Sequence, residues 1–308
     1  MARWSTVSWL VVGLMATGPT TAFAQSAASG DFRGMVAVAE GKIHLECAGV
    51  GGPAVILISG YRNNAEVWTV EPGPELEPVF AGVAGFTRVC AYDRPGTILA
   101  ADHLSRSDPV AMPRTAGAVV AELHDLLQTS RIPGPHVLAA HSLGGLFARL
   151  YAATYPGDVA GIVLVDAWQE DLPEILGPDG WSAYVDVAGP PPPGLAFYTE
   201  LESIDFGAAS QTLHEAAQAA PLPPLPIIVI SRARPVQLPP DVPAEFSPEA
   251  FEAAWREGQA RLAALLPDAK HVVATESDHY VQIAQPALVV DAIRAVVEAV
   301  RDRATWRD

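Results

Sequence analysis

Apolar and polar positions along this chain follow two periods. Residues 35–39, a turn at Glu40-Gly41 and residues 42–47 form the pattern of an opening β-hairpin. Residues 54–59 and 86–92 are instead nearly unbroken apolar runs, as strands covered on both faces require. Three more such runs fall at 136–140, 161–165 and 226–231, and residues 270–275 supply a last strand. Between the runs the period lengthens to that of a helix. Residues 114–127 place Val119, Leu123, Leu126 and Leu127 on one side and turn Glu122 and Asp125 away. A helix over 143–155 stops at Pro156-Gly157. Ser247 followed by Pro248 reads as a cap and a first-turn proline, opening a helix that passes Trp255 and ends near Leu266. Pro286 opens a closing helix with Leu288, Ile293, Val296, Val297 and Val300 on its apolar side. Strand and helix alternate after the hairpin, which predicts an α/β fold with helices on both faces of a mostly parallel sheet.

The alternation stops between Trp168 and about Leu225. This stretch is rich in aromatic residues and proline, including Pro190-Pro191-Pro192-Pro193, and carries weak helical patterns at 181–187 and 208–219. Set between two core strands, it reads either as a small cap over the sheet's edge or as a packed excursion without a part in the chemistry. At the other end, Arg3 precedes an apolar run over residues 7–16 and then Ala22-Phe23-Ala24, the pattern of a cleaved signal peptide. The run is well short of the roughly 20 residues that span a bilayer, so stable membrane insertion is not expected. The expected division is therefore a signal peptide at 1–24, core at 25–167, cap at 168–225 and core again at 226–308, with the mature chain secreted or periplasmic.

Charge narrows the partners. There are 19 basic and 35 acidic side chains, a net −16, and loss of Arg3 with the leader leaves 18 against 35, or −17. Such a field disfavours nucleic acid and anionic lipid. The two cysteines, Cys47 and Cys90, have no supporting histidine cluster, so no metal site is expected.

The strongest chemical signal is Ala140-His141-Ser142-Leu143-Gly144-Gly145, between a strand and a helix. Small neighbours allow a sharp turn there that would project the Ser142 hydroxyl above the sheet. The helix N-terminus behind it would favour a developing oxyanion, with the Leu143 N–H as one donor. The plainer alternative is a serine that only caps the helix. A serine nucleophile needs a base, and His279 is best placed, because Ser277-Asp278-His279-Tyr280 follows the last strand and precedes the final helix. His44, His136, His124 and His214 lie within strand or helix patterns, His141 points away from its neighbour, His271 begins a strand at the wrong end, and His103 is a lesser competitor. A carboxylate should orient the imidazole. Asp166 ends the strand at 161–165 on the same sheet edge as Ser142; Asp241 is the alternative, and Glu245 a more distant one.

With Leu57-Ile58-Ser59-Gly60-Tyr61, Tyr92-Asp93-Arg94-Pro95-Gly96 and Leu164-Val165-Asp166-Ala167 added, the chain resembles the α/β-hydrolase superfamily, in its capped esterase and lipase-like branch. The resemblance implies a three-layer fold with a mostly parallel eight-stranded sheet and a small inserted cap. It implies a second oxyanion donor at the Tyr61 N–H and a pocket-lining role for Trp68; Trp168 and Tyr280 are further candidate walls. Most such proteins carry their acid after the seventh strand, where this chain reads Ser231-Arg232-Ala233-Arg234 and offers none, so the resemblance favours the minority placement, Asp166. Asp278 stands where glycine is usual, bringing a negative charge beside His279. The fold would set the strands of Cys47 and Cys90 side by side, which allows a disulfide or two buried thiols. The expected activity is hydrolysis of a small-molecule carboxylic ester without a cofactor. A lactone, thioester or amide is the alternative substrate, and a ligand-binding protein on the same fold the alternative outside enzymes.

Overall fold

The computed structural model describes residues 30–71, 73–74, 76–100, 103–238 and 242–306. The leader expected at 1–24 and the alternative acid Asp241 lie outside the described residues. The hairpin is β1 (Phe32–Val38) and β2 (Gly41–Ala48), followed by β3 (Val55–Ile58) and β4 (Val89–Tyr92), with helices α1 (Glu66–Thr69) and α2 (Val79–Ala84) between the last two. A small two-stranded ribbon, β5 (Ile98–Ala100) and β6 (His103–Leu104), precedes α3 (Ala116–Thr129). Then come β7 (His136–His141), α4 (Leu143–Thr154) and β8 (Val159–Val165), the cap helices α5 (Leu172–Ala188) and α6 (Phe206–Ala219), and β9 (Ile227–Arg232). The chain closes through α7 (Pro248–Ala263), β10 (Lys270–Ala274), α8 (Val281–Ala284) and α9 (Pro286–Arg301).

Eight strands form one sheet in the order β1-β2-β4-β3-β7-β8-β9-β10. β1 and β2 pair antiparallel, as do β2 and β4, and the remaining pairs are parallel. The continuous apolar runs are explained by the two faces. Ile56 and Ile58 of β3, with Leu138 and Ala140 of β7, enter one core beneath α3, α4 and the cap. Val55, Leu57, Val137 and Ala139 enter the other, beneath α2 and α9. The layered fold with an inserted helical cap is thus as the sequence pattern predicts.

Local chemistry sets the element ends. Thr115 and Ser247 cap α3 and α7, accepting from the N–H of Ala118 and Ala250. α5 runs longer than its weak pattern suggests but is broken at Gly177 before Pro178. Glu122, expected to face solvent, is buried and takes both terminal nitrogens of Arg114, at 3.1 and 2.9 Å. Its pair partner lies just before the helix, out of reach of a periodicity argument. Cys47 and Cys90, register partners across β2 and β4, form a disulfide. Among the described residues no helix is long and apolar enough to cross a membrane.

Three buried histidines tie this fold to pH. Burial, with Arg106 adding to it, pushes His44 down to about 4; burial, with a smaller contribution from His124 and against Asp158, lowers His136 to about 4; burial and then the nearby His279 lower His141 to about 3. The unfolded chain therefore takes up these protons first, near the ordinary value of about 6.5. Stability is full above that value and falls as pH drops toward 4. We expect the urea midpoint to decline between pH 7 and 5, and His136→Gln to remove about a third of that slope. An unchanged slope in the variant would show that His136 is not held neutral.

Candidate functional site

Ser142 stands between β7 and α4 with φ 52° and ψ −128°, an uncommon backbone conformation for a non-glycine residue. Its side chain makes no capping hydrogen bond, which sets aside the plainer reading of this serine. Three main-chain bonds hold the turn: Ser142 N–H donates to Val165 O at 3.2 Å, and Ser142 O accepts from Gly145 N at 2.9 Å and Trp168 N at 2.8 Å. Close approach of α4 to β3 depends on Gly144, where a Cβ would lie 2.6 Å from Ile58 O. The α4 N-terminus, with the Leu143 N–H in its first turn, therefore sits directly behind the serine.

Asp166 and His279 are brought together from positions 113 residues apart. His279 donates from Nδ1 to Asp166 Oδ2 at 2.6 Å, which leaves Nε2 as the acceptor nitrogen of the neutral ring. The imidazole is further fixed by its own main chain, since His141 donates from Nε2 to His279 O at 2.8 Å. His141 is fully buried and neutral, and its ring lies 4.5 Å from that of His279.

The carboxylate of Asp166 is fully buried and meets four donors. Besides His279, Oδ2 accepts from Arg232 Nη1 at 2.6 Å, while Oδ1 accepts from Trp255 Nε1 at 2.9 Å and Arg232 N at 3.2 Å. Burial works to raise its pKa, but the bond and charge of His279, then the charge of Arg232 and the Trp255 donor, hold it down at about 2. Arg232 in turn donates from Nη2 to both oxygens of Glu252, each at 3.1 Å. The strand end that lacks an acid thus carries a cation aimed at Asp166. Arg232, Glu252 and Trp255 were not singled out as site residues from sequence; the absence of an acid in the 231–234 loop was the available signal.

Ser142 and His279 line one cavity of about 170 Å³, walled by Tyr184, Leu238, Phe246, Phe251 and Trp255. None of the three walls expected from sequence lines this cavity. Trp68 is buried in the core on the α2 and α9 side of the sheet, with its indole donating to Ser59 Oγ at 3.1 Å. Trp168 is buried in the cap's own aromatic packing, against Phe206 and Tyr184, and donates to Ser210 Oγ at 3.0 Å. Tyr280 is half-exposed beside His141 and His279, with ring centres 5.3 and 5.5 Å away. Tyr61 packs its ring edge-on to Phe206 of the cap. Asp278 accepts from the Tyr280 N–H at 3.2 Å. Among the described residues no cluster of His, Cys, Asp and Glu is arranged to hold a metal.

A model of the alpha/beta hydrolase family matches residues 55–292. The putative carbamate hydrolase RutD of Variovorax paradoxus is 36% identical over 133 residues, 42% of this chain and 43% of that protein. The matches to the first curated relatives span between 14% and 43% of those proteins' lengths. Among solved structures, an esterase from Thermogutta terrifontis superposes with a TM-score of 0.54 at 20% identity, covering 87% of this chain and 99% of the other. Carboxylesterase CesB from Bacillus subtilis does so with a TM-score of 0.55 at 16% identity, covering 86% and 91%. At these identities the likeness is one of fold.

Removing Arg232 would leave two carboxylates facing a site built for a cation. Arg232→Met is expected to lower stability by about 3–5 kcal/mol in urea unfolding at pH 7. The Arg232→Met, Glu252→Gln double variant should recover part of that loss. A single-variant loss below about 1 kcal/mol would mean that His279 and Trp255 suffice to hold Asp166.

Proposed function

Because this chain belongs to the alpha/beta hydrolase family, we propose that it is a serine hydrolase cleaving a small-molecule carboxylic ester through an acyl-enzyme. The observation that carries the reading is His279, which donates to buried Asp166 at 2.6 Å and lines the same cavity as Ser142. In this scheme His279 Nε2 takes the hydroxyl proton as Ser142 attacks the ester carbonyl. The N–H groups of Leu143 and Tyr61 hold the oxyanion, and Asp166 stabilises the imidazolium that forms. Protonated His279 then gives its proton to the departing alcohol. Water, deprotonated by the same nitrogen, releases the acid and restores Ser142.

The walls are mostly apolar, and the charge of Arg232 among them is already paired with Asp166 and Glu252, so they suit an uncharged substrate group. A cavity near 150 Å³ holds a benzene-sized molecule, so the volume beside Ser142 matches a phenyl or short aliphatic group. We extend the reading to export, on the strength of Arg3, the apolar run and Ala22-Phe23-Ala24. The Cys47–Cys90 disulfide agrees with an oxidising compartment.

Ser142→Ala is expected to abolish labelling by a fluorophosphonate and to reduce ester turnover at least 10⁴-fold, with the thermal midpoint nearly unchanged. Turnover retained in that folded variant would reject Ser142 as nucleophile. Comparing kcat/KM across matched aryl esters, lactones, thioesters and amides then assigns the leaving group, with esters of four to six acyl carbons expected to be fastest.

A further inference from the structure

The main chain around Tyr61 is held by charges that the scheme above does not use. Arg94, fully buried at the end of β4, donates from Nη1 to Ser59 O at 2.8 Å and from Nη2 to Gly60 O at 2.6 Å. Gly60 O also accepts from Asn63 N at 3.1 Å. The Gly60 carbonyl and the Tyr61 N–H belong to one peptide unit, and in a trans peptide they point in opposite directions. Whatever fixes that carbonyl therefore fixes the aim of the N–H. The unit is also immediately beside the nucleophile, since a Cβ on Gly60 would lie 2.9 Å from Ser142 Cβ.

Arg94 is oriented by Glu202, a fully buried residue from the connection between α5 and α6. Arg94 Nε donates to Glu202 Oε1 at 2.6 Å and Nη2 to Oε2 at 3.2 Å. Glu202 Oε2 also accepts the main-chain N–H of Arg62. The Arg62 side chain extends the same clasp, donating to Glu202 O at 3.1 Å and to Pro190 O and Gly189 O, at 2.6 and 2.9 Å, beyond the end of α5. The segment carrying Glu202 seats tightly on the core. Glu202 N donates to Gly96 O at 2.8 Å, and Gly96 has φ +76° with room for no Cβ, which would stand 2.2 Å from Glu200 O. A charge from the cap thus reaches the loop behind the nucleophile through two arginines.

We propose that Glu202 is a positioning residue for the reaction: acting through Arg94 and Arg62, it holds the Gly60–Tyr61 peptide so that the Tyr61 N–H faces the oxyanion, and makes that donor depend on the seated cap. The inference rests on the serine-hydrolase reading. Its effect falls in the transition state, because the carbonyl oxygen of the bound ester gains full charge only there.

The test compares Glu202→Gln and Arg94→Lys with the parent chain on a p-nitrophenyl butyrate assay. Glu202→Gln keeps the side chain's shape, and Arg94→Lys keeps its charge without the fork that spans both carbonyls. Active sites are first titrated to completion with a fluorophosphonate, so that a folding defect reduces the number of labelled sites and a positioning defect reduces kcat per site. We expect kcat per labelled site to fall about 10²-fold or more in either variant, with KM changed less than about threefold. Affinity for a boronic acid inhibitor should fall in parallel, and Glu202→Asp should restore at least tenfold over Glu202→Gln. Values of kcat per site within threefold of the parent in both Glu202→Gln and Arg94→Lys would overturn the inference while leaving the serine reading intact. Failure of the parent itself to label would overturn both.

Discussion

A carboxylate taken out of water is stable only where nearly every lone pair is met, and Asp166 satisfies that condition by drawing four parts of the chain to one point. The residue ends β8. Its partners come from the end of β9, from α7 and from the loop after β10. None of these donors is local, so the carboxylate ties together segments 66 to 113 residues away at this edge of the sheet. It also fixes the tautomer of His279. Its charge is shared with Arg232, whose other face is occupied by Glu252. The cluster carries two negative charges and one positive before His279 is counted.

The second buried ion pair, Arg94 with Glu202, works on the other side of the nucleophile and by different means. There the arginine holds no reacting side chain; it grips two carbonyls and so orients main chain. Both pairs bring residues from at or beyond the cap segment onto the core, Glu202 from within it and Arg232 from the strand just after it. Of the two, the Glu202 pair fastens the cap itself to the core, and aromatic packing among Trp168, Trp181, Tyr184 and Phe206 fills the space beside it.

Legibility in the sequence followed the range of the interaction. Strands covered on both faces announce themselves as apolar runs, and α7 by Ser247-Pro248, because those patterns are local; the Thr115 cap of α3 falls inside the expected helix and is not legible there. Ser142, His279 and Asp166 could be proposed together from sequence because each follows the end of a strand, and parallel strands end together. Trp68 and Trp168 were misplaced because an aromatic residue near a loop reads alike whether it faces a cavity or a core. Here an available hydroxyl decides, Ser59 for one indole and Ser210 for the other. Glu202 gave no signal at all: its partner Arg94 is 108 residues away, and one glutamate in a polar connection has no period.

The disulfide encloses more than two strands. Between Cys47 and Cys90 lie β3, α1, α2 and the whole of the Ser59–Arg62 turn, so the bond closes a ring of 43 residues around the segment that must thread between β4 and β7. A ring of that size removes roughly 4 kcal/mol of conformational freedom from the unfolded chain. The oxidised polypeptide begins its search with β2 and β4 already joined, on one side of the place that β3 takes. Redox state is thereby a property of this protein's folding route as well as of its finished stability.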